Sequence, residues 1–359
     1  MGLSLSVTDA TSTTDIIQLV PSINWSGDIA QCGRTLSFGV VSSATDKNMP
    51  IVELPLGAGV LLSDSVTLFE GFVFNRQKLT ESCTMEITCF DRGIYVKRNK
   101  AVYKFTNWLP EDIAKRVCDD FGISTGSLAR TNTRISRNFI GTSLYQIIQT
   151  AYTLAAKTTG EKYHIRFDGS ALTVSVKAVT PETLVIQGGS NLMSAAVTES
   201  IERMVNQVSV YNAEDKLIKT LRDDELIKLY GIMQESIKQA KGENVSLSAQ
   251  KLLDDNGVSQ KITINNLGNT SLITGNSVVV QEPYTGLFGL FWIDSDIHSW
   301  KNGMYFNKLV LNFKRMMDEQ EAGSLPVAEK SGSGSKKAEP VQEKWEYIRK
   351  KPPTNQSAM

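Results

Sequence analysis

Residues 14–105, and again those from 191 onward, alternate apolar and polar side chains with a period of two, while one stretch between them carries a period near 3.6. Period two sends successive side chains to opposite faces of a strand, whereas every third or fourth residue shares one side of a helix. This order confines the chain to a mainly β fold, α+β in class, interrupted once by helices.

In the first stretch DIIQLV, RTLSFGVVSS, VTLFEGFVFNRQKL and CTMEITCFD are short β-branched or aromatic runs, and LGAG is a turn signal. Within SCTMEITCFD, Cys83, Met85, Ile87 and Cys89 make one apolar face. Strands at this spacing, with no helix signal between them, suggest an antiparallel sandwich or barrel. Neither cysteine belongs to a C-x-x-C pair, so both read as small buried hydrophobes in a reducing cytoplasm.

The middle stretch holds two helices and a hairpin. WLPEDIAKRVCDDFGI places Pro110 at a helix start with Glu111 and Asp112 in the first turn, and Gly122 is its stop. SLYQIIQTAYTLAAKTTG carries Leu144, Ile147, Ile148, Ala151 and Leu154 on one stripe and ends at Gly160. KYHIRFDGSALTVSVKAV reads as two strands turning at DGS.

Beyond it, ERMVNQVSVYNAEDKLIKTLRDD is a hairpin turning at NAED, DELIKLYGIMQES reads as strand then helix, and VSLSAQKLLDDNG is a short helix. SQKITINNL, NSVVVQEP, GLFGLFWIDSDIHSW and MYFNKLVLNFKRM are four further strands. The resulting division is a β domain over 1–105, an α/β insert over 106–190, a second β domain over 191–320 and a flexible C-terminal tail over 321–359. That tail is rich in Ser, Gly, Lys, Glu and Pro and should not pack alone. Trp345, Tyr347 and Ile348 form an unexpected apolar cluster in it, a candidate docking peptide.

Charge narrows the function classes. Lys and Arg number 38, as do Asp and Glu, so the basic excess of a protein held on nucleic acid by phosphate contacts is missing. The N-terminus shows no secretory pattern, and no run reaches the ~18 apolar residues of a membrane span.

The candidate chemistry is sparse. Asp294, Asp296 and His298 in WIDSDIHSW are spaced to share one strand face. Two carboxylates and an imidazole suit a divalent cation, but a half-buried strand also shows alternate polar residues to water. A metal needs a further ligand, and the only other histidine, His164, lies in the insert, where it reads as a strand residue near a turn. The chain has no H-E-x-x-H, G-x-S-x-G or Gly-rich phosphate loop. No metal, cofactor or catalytic residue is assigned, and a non-enzymatic structural role is the expectation. In GLFGLFWID, Phe288, Leu290 and Trp292 alternate with Phe291 and Ile293, so both faces of that strand are apolar; the first three are a candidate subunit or tube interface.

The closing segment NSVVVQEPYTGLFGLFWIDSDIHSWKNGMYFNKLVLNF, together with SGDIAQCGRTLSFGVV, VTLFEGFVFNRQKLTESCTMEITCFDR and LPEDIAKRVCDDFGI, resembles the XkdQ/YqbQ-type baseplate hub proteins of contractile-tailed phages and tail-like bacteriocins. The likeness covers roughly residues 14–318 and rests on strand spacing and turn residues. It implies two tail-tube-like antiparallel β-barrels and a homotrimer that adapts a hexameric tail tube to the central spike. Its partners would be the tube protein, the spike and other baseplate or tape-measure proteins, in a particle assembled in the host cytoplasm. Within that frame the Asp294, Asp296 and His298 stretch is structural. The competing readings are a cell-wall hydrolase and a carbohydrate- or receptor-binding module of the tail tip.

Overall fold

The computed structural model describes residues 2–9, 12–41, 52–78, 83–179, 184–239 and 245–326. Residues 1–325 form one unit and 326–359 another. The proposed docking residues Trp345, Tyr347 and Ile348 lie outside the described residues.

The first β region contains β1 (Ser4–Thr8), β2 (Thr13–Asp15), β3 (Ser22–Asp28), β4 (Thr35–Val41), β5 (Gly59–Asp64), β6 (Val66–Lys78) and β7 (Thr84–Phe90), all antiparallel to their neighbours. The alternation has the expected effect. Leu36, Phe38 and Val40 of β4 and Met85, Ile87 and Cys89 of β7 are buried in one cluster. Each such side chain contributes roughly 1.5–3 kcal/mol by leaving water. Cys83 departs from the expectation: β7 begins one residue later, and Cys83 is exposed.

The insert comprises α1 (Gly93–Arg98), β8 (Lys100–Trp108), α2 (Pro110–Asp120), β9 (Thr125–Leu128), β10 (Ile135–Ser143), α3 (Leu144–Thr159), β11 (Tyr163–Asp168) and β12 (Ala171–Val176). It is thus larger than two helices and a hairpin. Ser143 caps α3 by accepting from the Gln146 N–H, and Gly160 ends it at φ 75°, a left-handed conformation that glycine adopts without strain. Ile113 and Val117 of α2 meet Ile147, Ile148 and Ala151 of α3 in a core that also takes in Val96 and Phe105.

The remainder contains β13 (Val185–Gln187), β14 (Leu192–Ser200), β15 (Gln207–Tyr211), β16 (Leu217–Arg222), α4 (Asp224–Tyr230), β17 (Gln234–Lys238), α5 (Val245–Asp255), β18 (Ser259–Leu267), β19 (Ser277–Glu282), β20 (Leu287–Lys301) and β21 (Met304–Asn312). The order expected over 224–236 is reversed, helix before strand. Asp223 accepts from the N–H groups of Glu225 and Leu226, which starts α4, and Gly231 at φ 80° stops it.

The long strand β20 decides the architecture. Its first part pairs with β19, its last part with β3, and β21 runs along its other edge. The two β regions therefore share one sheet, in the order β14-β18-β21-β20-β3-β4-β7-β6-β5-β1-β2, with β19 and β13 branching from β20. The two separate closed barrels expected from the sequence are not what this hydrogen bonding draws: among the described residues the path is open at β14 and β2. The side chains nevertheless bury into separate clusters on the two sides, one around Leu36 and Ile87, the other around Ile264, Val278 and Ile293.

After β21 the chain straps the insert. Met317 enters the insert core, Tyr145 Oη donates to Asp318 over 2.7 Å, and Glu319 meets Lys162 at 2.8 Å and Lys251 of α5 at 2.9 Å. The Ala322 N–H donates to Thr150 Oγ1 at 3.1 Å, and Asn138 and Ser324 exchange backbone hydrogen bonds. The residues at the start of the expected flexible tail are thus fastened.

Candidate functional site

The register of β20 shifts against β21 between Ile293 and Ser295. A bulge inserts one residue and flips the parity of the strand. Before it, Phe291 and Ile293 point inward; after it, Asp296 and His298 do, and Ile297 is exposed. Asp294 falls at the bulge itself. The expectation that Asp294, Asp296 and His298 share a face shown to water is corrected on both counts. Asp296 and His298 are fully buried, and Asp294 turns to other partners: Asn312 Nδ2 donates to it at 3.2 Å, and Lys177 Nζ stands 3.9 Å away.

Asp296 is surrounded by donors from other elements. The Arg34 guanidinium donates to both of its oxygens, at 3.1 Å to Oδ1 and more closely to Oδ2. The N–H and Oγ1 of Thr274 each donate to Oδ1 at 2.6 Å. His298 Nε2 stands 3.1 Å from Oδ2, close to it but out of line for a well-aligned hydrogen bond. Burial by itself would raise the Asp296 carboxyl, but the charge of Arg34 and the contacts of His298 hold it well below the usual carboxylate range.

The network extends on both sides. The Arg34 guanidinium lies over Trp25 at 3.8 Å, and the Trp25 and His298 rings are 4.6 Å apart. The Arg34 N–H donates to Asp91 Oδ2 at 2.7 Å, and the Gly93 N–H donates to Oδ1 at 2.8 Å. Burial still pushes the Asp91 carboxyl up to about 6, against those two hydrogen bonds. On the far side, Tyr305 Oη and Asn307 Nδ2 reach His298 Nδ1 at 2.6 and 2.8 Å. Tyr305 packs over Gly268, where a Cβ would stand 2.1 Å from the ring.

His164 is likewise buried, against Gly275, and desolvation first, then Lys177 and Arg166, pushes its pKa down to about 3. Lys177 is buried too. Its Nζ donates to the Met316 carbonyl at 2.8 Å and lies 5.8 Å from the Trp292 ring, and burial pushes its pKa down to about 8. A cleft of about 610 Å³ opens beside this junction, between Arg34, Leu68, Arg166 and Thr274. The junction therefore joins three parts of the chain: the β3–β4 strands, β20–β21 and the β11–β12 hairpin. With its carboxylate oxygens already taken by Arg34 and Thr274, Asp296 acts as a clamp.

The three candidate interface residues are split by the fold. Phe288 is 62% and Leu290 37% exposed, whereas Trp292 is 7% exposed and lies beside Lys177. Sequence reasoning missed Arg34, Thr274, Lys177 and Asn307. Arg34 and Asp296 are 262 residues apart, so no local spacing could announce them.

The chain is similar to known proteins along most of its length. The YqbQ-like family matches residues 23–312. Bacillus subtilis "Uncharacterized protein YqbQ" is 28% identical over 249 residues, covering 66% of this chain and 75% of that one. "Phage-like element PBSX protein XkdQ", also of Bacillus subtilis, is 25% identical over 319 residues, covering 85% and 96%. The 43 kDa tail protein of prophage MuSo2 from Shewanella oneidensis shares the fold, with a TM-score of 0.67 at 14% identity over 87% of this chain and 97% of its own. The family match takes in the first β region from Ile23 onward, the insert, the second β region and every residue of the Arg34–Asp296–His298 clamp, and the chain belongs to the YqbQ-like family.

Proposed function

We propose that this protein is a structural component of a phage or phage-like tail: a baseplate hub that forms a homotrimer and adapts the tail tube to the central spike. The observation that carries the reading is the single sheet running through β20, which makes the two β lobes one body held by a buried ionic clamp. A part that transmits load between neighbours needs such a body. The name of XkdQ and that of the prophage tail protein point to the same kind of particle.

In this reading the lobes around the Leu36–Ile87 and Ile264–Ile293 clusters are the two tube-like domains, presented six at a time by three subunits. The exposed Phe288 and Leu290 contact a neighbouring copy or the tube protein, and Trp345, Tyr347 and Ile348 dock on a spike or baseplate neighbour. The role is structural rather than catalytic, because the buried carboxylate and imidazole are engaged by the chain's own side chains. Its place is the baseplate of the particle, assembled in the host cytoplasm.

The test is deletion of the gene in a host that produces the particle. Loss of tails joined to spikes, restored by the gene in trans, is the expected result. Complete tails with spikes in place would overturn the proposal. Light scattering of the purified chain, alone and with the spike protein, checks the trimer separately.

A further inference from the structure

A shallow depression of about 460 Å³ lies on the insert where the end of β8 meets α2. Trp108, the last residue of β8, forms part of its wall and is 38% exposed. On the α2 side stand Asp112, Lys115 and Asp119, at i, i+3 and i+7 of one helical stripe. Thr106, Asn107, Arg116 and Arg134 complete the rim.

The backbone here is held in an uncommon shape. Asn107 sits at φ 62°, a left-handed conformation that asparagine tolerates better than most non-glycine residues. Two contacts hold it in place: the Asn107 N–H donates to Ser136 Oγ at 2.9 Å, and Arg134 Nη1 donates to the Asn107 carbonyl at 2.8 Å. Opposite Trp108 the β8–β10 pairing shifts register between Ile135 and Arg137. Bulges are over-represented at sheet edges and beside binding sites, where they re-aim a side chain. Here they place the indole, an amide and a guanidinium around one hollow.

The chemistry of the rim selects the ligand. Lys115, Arg116 and Arg134 stand against Asp112 and Asp119. Lys115 is paired with Asp119 at 3.3 Å and Arg116 with Asp120 at 3.0 Å, which leaves one carboxylate, Asp112, opposite one cation, Arg134. A phosphate or a uronate would meet two cations that already have carboxylate partners, and would bring its charge next to Asp112. A hydroxyl group, which donates and accepts at once, fits both kinds of neighbour. The flat apolar face of the indole matches the C–H face of a sugar ring. We propose that this depression binds a neutral saccharide, stacked on Trp108 and hydrogen-bonded through its hydroxyls to Asp112, Arg134 and the side chain of Asn107.

This site stands independently of the hub reading, and either can fail alone. The experiment applies the full-length chain to a printed array of neutral and acidic oligosaccharides, with saturation-transfer NMR on maltotriose and chitotriose. Retention of neutral glycans is expected. Trp108→Ala should weaken it by about tenfold, the scale of one lost aromatic stacking contact. The Trp108 ring packs 5.1 Å from that of Phe105, so its removal can loosen the insert. Asp112→Asn, on the exposed side of the first turn of α2, preserves the fold and should also weaken binding. A blank array with no saturation transfer would overturn the proposal. So would preference for acidic glycans, or equal binding by wild type and Asp112→Asn.

Discussion

Asn307 Nδ2 donates to His298 Nδ1 across 2.8 Å, and that one contact sets the charge state of the imidazole. The Asn269 backbone N–H donates to Asn307 Oδ1 at 2.6 Å. A backbone N–H can only donate, so the oxygen of the Asn307 amide is identified, and its NH2 group must face His298. An NH2 group cannot accept from Nδ1–H. His298 is therefore neutral, with its proton on Nε2 facing Asp296, and burial lowers its pKa in the same direction.

The Arg34–Asp296 pair should behave as a buried ion pair. Arg34→Met strands the Asp296 carboxylate in the core and should cost roughly 3–5 kcal/mol. The double variant Arg34→Met, Asp296→Leu should recover much of that loss. Urea denaturation of the wild type, the two single variants and the double variant measures both. A double-variant loss equal to the sum of the two single losses would mean that the pair is not coupled.

The two histidines should make the fold acid-sensitive. Both have folded-state pKa values below their ordinary one, so the unfolded chain takes up their protons first. Their contribution is complete above about 6.5 and, for His164, is lost as pH falls from there toward about 3. Asp91 acts with the opposite sign. Its carboxyl is raised from 3.8 to about 6, so its contribution is complete below 3.8 and lost as pH rises through that window. His164→Gln should therefore flatten the fall in melting temperature between pH 6.5 and 4. An unchanged slope would place the acid sensitivity elsewhere.

Gly268→Ala should destabilise the clamp from a distance. The added Cβ would stand 2.1–2.4 Å from Tyr305 ring atoms, and the ring is stacked on Trp300 at 4.3 Å with little room to move. A loss of roughly 1–3 kcal/mol is expected, read by chemical denaturation. Tyr305→Phe, which keeps the ring and removes only the hydroxyl contacts to His298 and Asn307, should cost less.

The strap after β21 should carry part of the stability of the insert. A chain ending at Asn312 uncovers the buried Met317 position and removes the partners of Tyr145, Lys162 and Thr150. It should melt several degrees below a chain ending at Pro326. Hydrogen exchange should locate the loss in α3.

Much of the order of elements was legible in the chain itself. The period-two alternation of β4 and β7, the Pro110 start of α2 and the glycine stop of α3 are local signals, and each produced the element it announced. Residues 224–236 were misread because Leu226, Ile227 and Ile232 fit either period, and the capping carboxylate of Asp223 decided between them.

What the sequence determined by itself is the alternation of strands and helices, because backbone period and capping act within a few residues. What only the tertiary structure decided is the role of β20. One bulge at Asp294 turned Asp296 and His298 inward, toward Arg34 and Thr274 from elements distant in the chain. Parity along a strand is local, but the partner that makes an inward carboxylate tolerable is not. A buried charge persists only where folding delivers its counter-charge, and that delivery joined the two β regions into one sheet.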